Sequence, residues 1–411
     1  MLTRTGTEVI SNVGEAWSPN GKQIAFGSYT IPLTSPETTC TIKSLDLQNG
    51  TISALSQEKW DACYRMVWTR DGEGLIFIGT KFHESYPTRR DKIYYLSTST
   101  GESHRIPTDD SRHQAMSLGL TDNGGLLSVP YNRSSQIWAM NSNGDERTAI
   151  RLTSGMADGR SGIVPLADGR LSYLTLTGDD LGIWTMNGDG SDRRQLTSEP
   201  SFLEELRATS DGRYFVFSTR RDNHSHLFRV DADGTNLKQL TDGQGQEIDS
   251  AISPDGKWIV CASSAFTGTY GKTTLQKLSI DGGEPIKLTD MDSHAPHFSP
   301  DGRFISFITD ENKIAIISAE NGTLIRTYET AQVPSLNIGA HWTPDGRALT
   351  YIVNRKNTGN IWLQPLSGDA PHSLTDFTSG DIYNYAFSAD GTRLYLARGY
   401  QIQDAVLIRN F

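Results

Sequence analysis

The 411-residue chain holds only three cysteines, Cys40, Cys63 and Cys261, an odd number with no C-x-x-C spacing and no framework of paired cysteines of the secreted kind. Each is therefore expected as a small buried strand residue. No apolar run approaches the roughly 18 residues that a membrane-spanning helix needs, and runs such as Ile314 to Ile317 are strand-length. Net positive charge is missing as well. With 38 Lys and Arg against 48 Asp and Glu, the formal charge is −10, which argues against affinity gained by neutralising phosphates. Basic pairs such as Arg89-Arg90 and Arg220-Arg221 do not reverse this, so neither nucleic acid nor membrane insertion is expected. The start, Met-Leu-Thr-Arg-Thr, lacks the charged segment and apolar core of a signal peptide. Two compartments stay open: the cytoplasm if the chain is whole, an extracytoplasmic one if a leader or fused domain has been removed.

The easily read signs of chemistry are absent too. Neither a Gly-x-Ser-x-Gly elbow nor a His-Glu-x-x-His pair occurs. Gly268-Thr-Tyr-Gly271-Lys272-Thr273 is superficially like a phosphate loop, but its first glycine is too close and no βα unit follows, so it reads as a loop between strands. Asn187-Gly-Asp189-Gly190-Ser-Asp192 and Asp231-Ala-Asp233-Gly234-Thr-Asn236 alternate carboxylates with a glycine, as calcium loops do, yet both sit where a hairpin turn already demands such residues. His224 and His226 point to one side of a strand without a third metal ligand nearby, and His83, His104, His113 and His372 fall in loops or variable strands. No metal and no cofactor is expected.

What is abundant is glycine, 39 residues, and a repeat. Turns of the type Ser-Pro-Asp-Gly end at Gly21, Gly72, Gly124, Gly169, Gly212, Gly256, Gly302, Gly346 and Gly391, nine in all. Successive differences are 51, 52, 45, 43, 44, 46, 44 and 45 residues, the period of a four-stranded propeller blade. The residue types are mechanical: Ser or Thr caps the turn, Pro presets φ, Asp suits the third position, and Gly accepts φ > 0. Apolar runs follow each turn, for example Gln23 to Phe26, Tyr214 to Phe217 and Trp258 to Cys261. A second apolar run, a polar turn and a short strand closing on Leu-Thr complete the unit, as in Ile183 to Thr197 and Leu227 to Thr241. One such sheet cannot bury both its faces alone, so sheets must stack around a ring. The expected fold is all-β, one closed β-propeller over residues 1–411 with nine blades, or eight with one extruded unit. The last repeat has its second strand at Arg393 to Ala397 and its third at Asp404 to Ile408, and Leu2 to Thr5 is expected to supply its outermost strand and close the ring.

The pattern W-S-P-D-G-K-x-I-A-F, then I-W-x-M-N-x-D-G, then L-T resembles the repeats of the TolB-like (WD-like) propellers over essentially the whole chain. The stretch from Asn360 to Phe411 is similar to the C-terminal end of propellers fused to bacterial serine/threonine kinases or winged-helix regulators, although neither domain is present here. The resemblance implies a module without catalytic residues of its own, binding a protein, peptide or small ligand at one face or in the central channel. Some relatives are lyases, and others are the non-catalytic part of peptidases.

His294, His297 and His341 precede turns on the innermost strand or the loop leading into it, the position that lines a channel mouth. Arg65, Glu204, Glu205, Arg207, Asp249 and Asn384 stand at equivalent places in neighbouring repeats. The result is either a hydrated channel or a mouth that recognises a ligand. A monomeric, non-catalytic binding or sensing propeller is the leading expectation. A scaffold acting through its faces, with aromatics such as Tyr383, Tyr385 and Tyr400, comes second. A lyase or hydrolase using the mouth histidines and carboxylates on an acidic sugar or peptide comes third.

Overall fold

A computed structural model describes all residues except 1, 6–7, 33–38, 83–90, 108–114, 131, 178–179, 198–202, 222–223, 244, 266–271, 331–337, 403–404 and 410–411. The loop reading of Gly268 to Gly271 and the pair Arg89-Arg90 lie outside the described residues. Apart from one three-residue 3-10 turn, Glu146–Thr148, every described element is a β-strand. The chain divides into two compact units, residues 1–132 with 402–411, and residues 133–401.

All nine expected hairpins form, each pairing the strands on either side of its turn. The nine turn glycines all have φ between +67° and +84°, the left-handed region that costs a side chain but not glycine. In the turn at Ser253, the hydroxyl donates to Asp255 Oδ1 at 2.6 Å, Lys257 N donates to the same oxygen at 3.1 Å, and Trp258 N donates back to Ser253 Oγ at 2.9 Å. Ser299-Asp301 and Ser388-Asp390 repeat the arrangement. Asp189 and Asp233 likewise accept from the N–H and hydroxyl of Ser191 and Thr235, which accounts for both calcium-like stretches as turns. The Leu-Thr signature is equally mechanical. Leu240 N donates to Leu227 O, and Thr241 Oγ1 accepts from Leu227 N at 3.0 Å, locking the fourth strand onto the third. Thr153, Thr197, Thr289 and Thr375 do the same in their repeats.

In the smaller unit, Glu8–Trp17, Gln23–Pro32, Thr39–Asp46 and Ile52–Ala54 form one antiparallel set, and Trp60–Trp68, Gly74–Lys81, Lys92–Ser97 and Ser103–Arg105 the next. Trp60 is fully buried between them, edge-on to Phe77 and Tyr94 with ring centroids 4.9 and 4.7 Å away. Cys40 and Cys63 are disulfide-bonded across these two sets, whereas Cys261 is buried and free. All three are buried strand residues, as expected, but the bond between the first two was not anticipated. A third strand of one repeat and an innermost strand of the next become neighbours only once the sheets stack, so no sequence spacing announces the pair.

The larger unit holds six four-stranded antiparallel sheets. Five are built from consecutive strands, beginning with Asp158–Pro165, Leu203–Ala208, Gly245–Ile252, Ser293–Phe298 and Ala340–Trp342. The sixth joins distant segments: Asp381–Phe387 and Arg393–Gly399 pair with Gln136–Asn141, which carries Ile150–Arg151 outside it. Successive sheets pack on one another, and Asp381–Phe387 of the sixth lies against Asp158–Pro165 of the first. Apolar clusters fill the gaps between neighbours. Ile137, Ile163, Tyr173 and Ala397 join the sixth sheet to the first, and Ile352, Ile361, Ile382 and Tyr385 join the fifth to the sixth.

The expected closure by Leu2–Thr5 does not occur. That strand pairs with Glu8 to Ser11, and the outer neighbour of Arg393–Gly399 is Gln136–Asn141 instead. The third and ninth repeats have exchanged strands. The hairpin of the third, Ala115–Leu120 with Leu126–Pro130, receives Val406–Ile408 from the ninth, while the ninth hairpin receives the outer strands of the third. Among the described residues, nine hairpins thus yield six four-stranded sheets in the larger unit, and one nine-stranded and one three-stranded sheet in the smaller.

Candidate functional site

The innermost strands of the larger unit share an irregularity. Their ladders slip between Glu204 and Arg207, Ile248 and Ala251, and His294 and His297, leaving two residues opposite one. The first extra residue is left-handed each time: Glu205 at φ +58°, Asp249 at +53° and Ala295 at +46°. For non-glycine residues this costs roughly 1–2 kcal/mol each. Contacts between sheets offset the cost. Glu205 Oε2 accepts from Ser250 N at 3.1 Å, and Asp249 Oδ2 accepts from Ala295 N at 3.2 Å, so each carboxylate grips the bulge of the following sheet. At Gly339, φ +76°, a Cβ would lie 2.4 Å from Ala295 O, and only glycine permits that approach.

The first two of these bulges border a cavity of about 610 Å³, within the size range of small-ligand sites. Of the residues singled out from the sequence, Glu205, Arg207, Asp249, His341 and Asn384 line it. Arg65 does not belong to this cavity: it is exposed in the smaller unit, where it occupies an equivalent left-handed bulge at φ +51°. Glu204 sits on the strand Leu203–Ala208, and its side chain lies outside the described residues. His294 turns to Asp292, with Nε2 3.3 Å from Oδ1, and is not among the cavity's lining residues.

His297 and His341 form a tilted ring pair that, with Tyr385, spans three sheets. Their centroids are 3.9 Å apart, and His341 stacks in turn on Tyr385 at 4.3 Å. Both Nε2 atoms meet the same acceptor, Ile338 O, at 2.8 and 3.2 Å. Burial, with the nearby charge of Arg207, pushes the pKa of His297 down to about 3. Burial, then His297 and Arg207, holds His341 well below the usual histidine range. Both rings are therefore neutral near pH 7. The Tyr385 hydroxyl donates to Thr350 O at 2.6 Å and also reaches Thr350 Oγ1 at 3.0 Å, fixing the stack to the fifth sheet.

Sequence reasoning missed Arg133, Arg160, Ser161 and Asp381, which line the same cavity, as does Tyr383, named from the sequence only as an aromatic for an outer face. Arg160 and Ser161 lie in a wider bulge, where residues 159–162 oppose Leu174 alone, so counting back from the turn does not find them. The Arg160 guanidinium stands over the Tyr383 ring at 6.0 Å. Burial first, then the positive charge of Arg133, lowers the pKa of Arg160. Burial raises the pKa of Asp381 and Tyr383. Elsewhere, His226 Nδ1 meets Glu247 Oε2 at 3.0 Å and His224 Nδ1 meets Gly245 O at 3.2 Å, so the two histidines have separate partners. Among the described residues no group of three His, Cys, Asp or Glu is placed to hold a metal.

No family model matches the chain. A solved structure, of a candidate TolB from Agrobacterium tumefaciens, superposes with a TM-score of 0.51 at 16% identity, covering 66% of this chain and 99% of that one. The uncharacterized protein Atu1656 of Agrobacterium fabrum is 24% identical over 176 residues, which are 40% of this chain and 58% of that protein. Dipeptidyl-peptidase 5 of Porphyromonas endodontalis is 26% identical over 243 residues, 45% of this chain and 34% of that one. The chain spans less than two thirds of the length of either curated relative. At these identities the shared property is a fold, and that fold is the TolB-type β-propeller.

Proposed function

We propose that residues 133–401 close as a six-bladed ring and that the chain is a non-catalytic binding module, with the 610 Å³ cavity as its recognition site. The observation that carries this reading is the convergence of Arg160, Arg207, Asp249, His341 and Asn384, from several different sheets, on one cavity whose walls are already fixed by contacts between sheets. Pre-organised polar groups around a concave space are what a binding site needs. The histidines favour binding over proton transfer, because both direct Nε2 at Ile338 O and both are held neutral by burial. Fusion to a kinase or winged-helix regulator, suggested by the C-terminal stretch, would make the ring the sensing part of a longer protein. The likeness to a part of dipeptidyl-peptidase 5 is compatible with the same supporting role. A panel of peptides, amino acids, sugar acids and nucleotides, read by thermal shift on the whole chain, tests the reading. One chemical class should raise the melting temperature, and Asn384→Ala should weaken that response without substrate turnover. Turnover abolished by His341→Ala would put a lyase or hydrolase in its place.

A further inference from the structure

Within that cavity the positive and negative side chains are not equivalent. The acids Glu205 and Asp249 are engaged by backbone N–H groups of the next sheet. Arg160 and Arg207 have no such use. Among the described residues Arg160 faces only the Tyr383 ring, and Arg207 donates to the carbonyl of its own neighbour Leu206 at 3.1 Å, with no carboxylate paired to either. The Tyr383 hydroxyl is buried without a hydrogen-bond partner among the described residues, in a residue that lines the cavity and whose ring lies under the Arg160 guanidinium. A buried donor without an acceptor costs about 1–3 kcal/mol, and a half-buried guanidinium beside a second one is also unfavourable. Both costs are relieved by one anion between them.

We propose that the wall formed by Arg133, Arg160, Ser161 and Tyr383 binds the carboxylate of a small ligand. The proposal rests on the reading of this cavity as a binding site. A carboxylate fits better than a phosphate for an electrostatic reason: Asp381, Glu205 and Asp249 line the same space, and a dianion would meet roughly twice the repulsion that a monoanion meets. The planar fork of a guanidinium also matches a carboxylate in two parallel hydrogen bonds. The volume admits a ligand about the size of a short peptide or a sugar acid.

The test is calorimetric titration of the whole chain with trialanine, trialanine amide, glucuronate, glucuronate methyl ester and inorganic phosphate. At least one free acid should bind, and its amide or ester should bind about tenfold or more weakly. Binding of trialanine alone assigns the carboxylate to a peptide end, binding of glucuronate alone assigns it to a sugar acid, and either supports the proposal. Arg160→Gln should weaken the acid by a similar factor. Tyr383→Phe, which keeps the ring, should weaken it by a smaller one, with neither variant melting below the parent in the absence of ligand. Equal binding of acid and amide, preference for phosphate, no binding by either acid, or an Arg160→Gln variant that binds as the parent does would overturn it. A neutral ligand that still responds to Asn384→Ala would leave the cavity as a binding site while removing the carboxylate.

Discussion

Asp249 offers a way to separate two opposing effects at one residue. It sits at φ +53° and its Oδ2 holds Ala295 N at 3.2 Å, so it bears the strain of the left-handed region and supplies an acceptor to a buried bulge. Asp249→Ala removes the acceptor, at about 1–3 kcal/mol, and keeps a Cβ in a conformation that disfavours it. Asp249→Gly removes the same acceptor but releases the strain. After allowing for the greater freedom of glycine in the unfolded chain, it should be less damaging than alanine by about 1 kcal/mol. Asp249→Asn keeps an oxygen at the same reach and a side chain that tolerates φ > 0, so its loss should stay under about 1 kcal/mol. The expected order of stability is parent, then Asn, Gly and Ala, measured as urea midpoints by tryptophan fluorescence with the slope held common. If Gly is no better than Ala, the bulge stores no strain at this position. If Asn is as poor as Ala, the grip on Ala295 contributes nothing.

Three further outcomes are expected. Opening the Cys40–Cys63 disulfide, by reduction or as Cys63→Ser, should destabilise the smaller unit by about 3 kcal/mol, from the chain-entropy relation for residues 23 apart. An unchanged urea midpoint for that unit after reduction would refute it. Tyr385→Phe takes the hydroxyl donor from the buried Thr350 O and should lower stability by about 1–2 kcal/mol, read from the same urea curves, while leaving the His297 and His341 rings in contact. Acid should weaken the turns. Asp301 and Asp390, with hydroxyl and amide donors around them, are held down to about 2 from an ordinary 3.8. Their contribution is thus complete above about pH 4 and is lost as pH falls toward 2. Ser299→Ala with Ser388→Ala should flatten that part of a stability-against-pH curve, and an unaltered curve would show that the turn carboxylates do not matter.

The turns were legible in the sequence because each is a local device: Ser253, Asp255 and Gly256 satisfy one another within a few residues. The same holds for Thr241, whose partner Leu227 lies across a short hairpin. Strand identity was legible for the same reason. What was not legible depends on contacts between repeats. Nothing local distinguishes Gln136–Asn141, which pairs with a strand more than 250 residues away, from a strand that stays in its own repeat. Cys40 and Cys63 look like ordinary buried strand residues until two sheets stack. Of the residues singled out by position in the repeat, Glu205, Arg207, Asp249, His341 and Asn384 line the cavity, whereas Arg160 escaped because its bulge is longer than the others. His294 had the right position but turns to Asp292.

The Tyr383–Arg160 contact depends on the sixth sheet, in which Asp381–Phe387 pairs with Arg393–Gly399 and that strand with Gln136–Asn141. Asn141 and Arg393 are register partners and both are exposed, so cysteines placed there lie within disulfide reach. In the Asn141→Cys, Arg393→Cys variant, mild oxidation followed by proteolysis should leave the two peptides joined, with the parent chain as the control. Failure of that pair to form, together with a bond between cysteines at Thr3 and Leu407, would return the closing strand to the N-terminus and contradict the account.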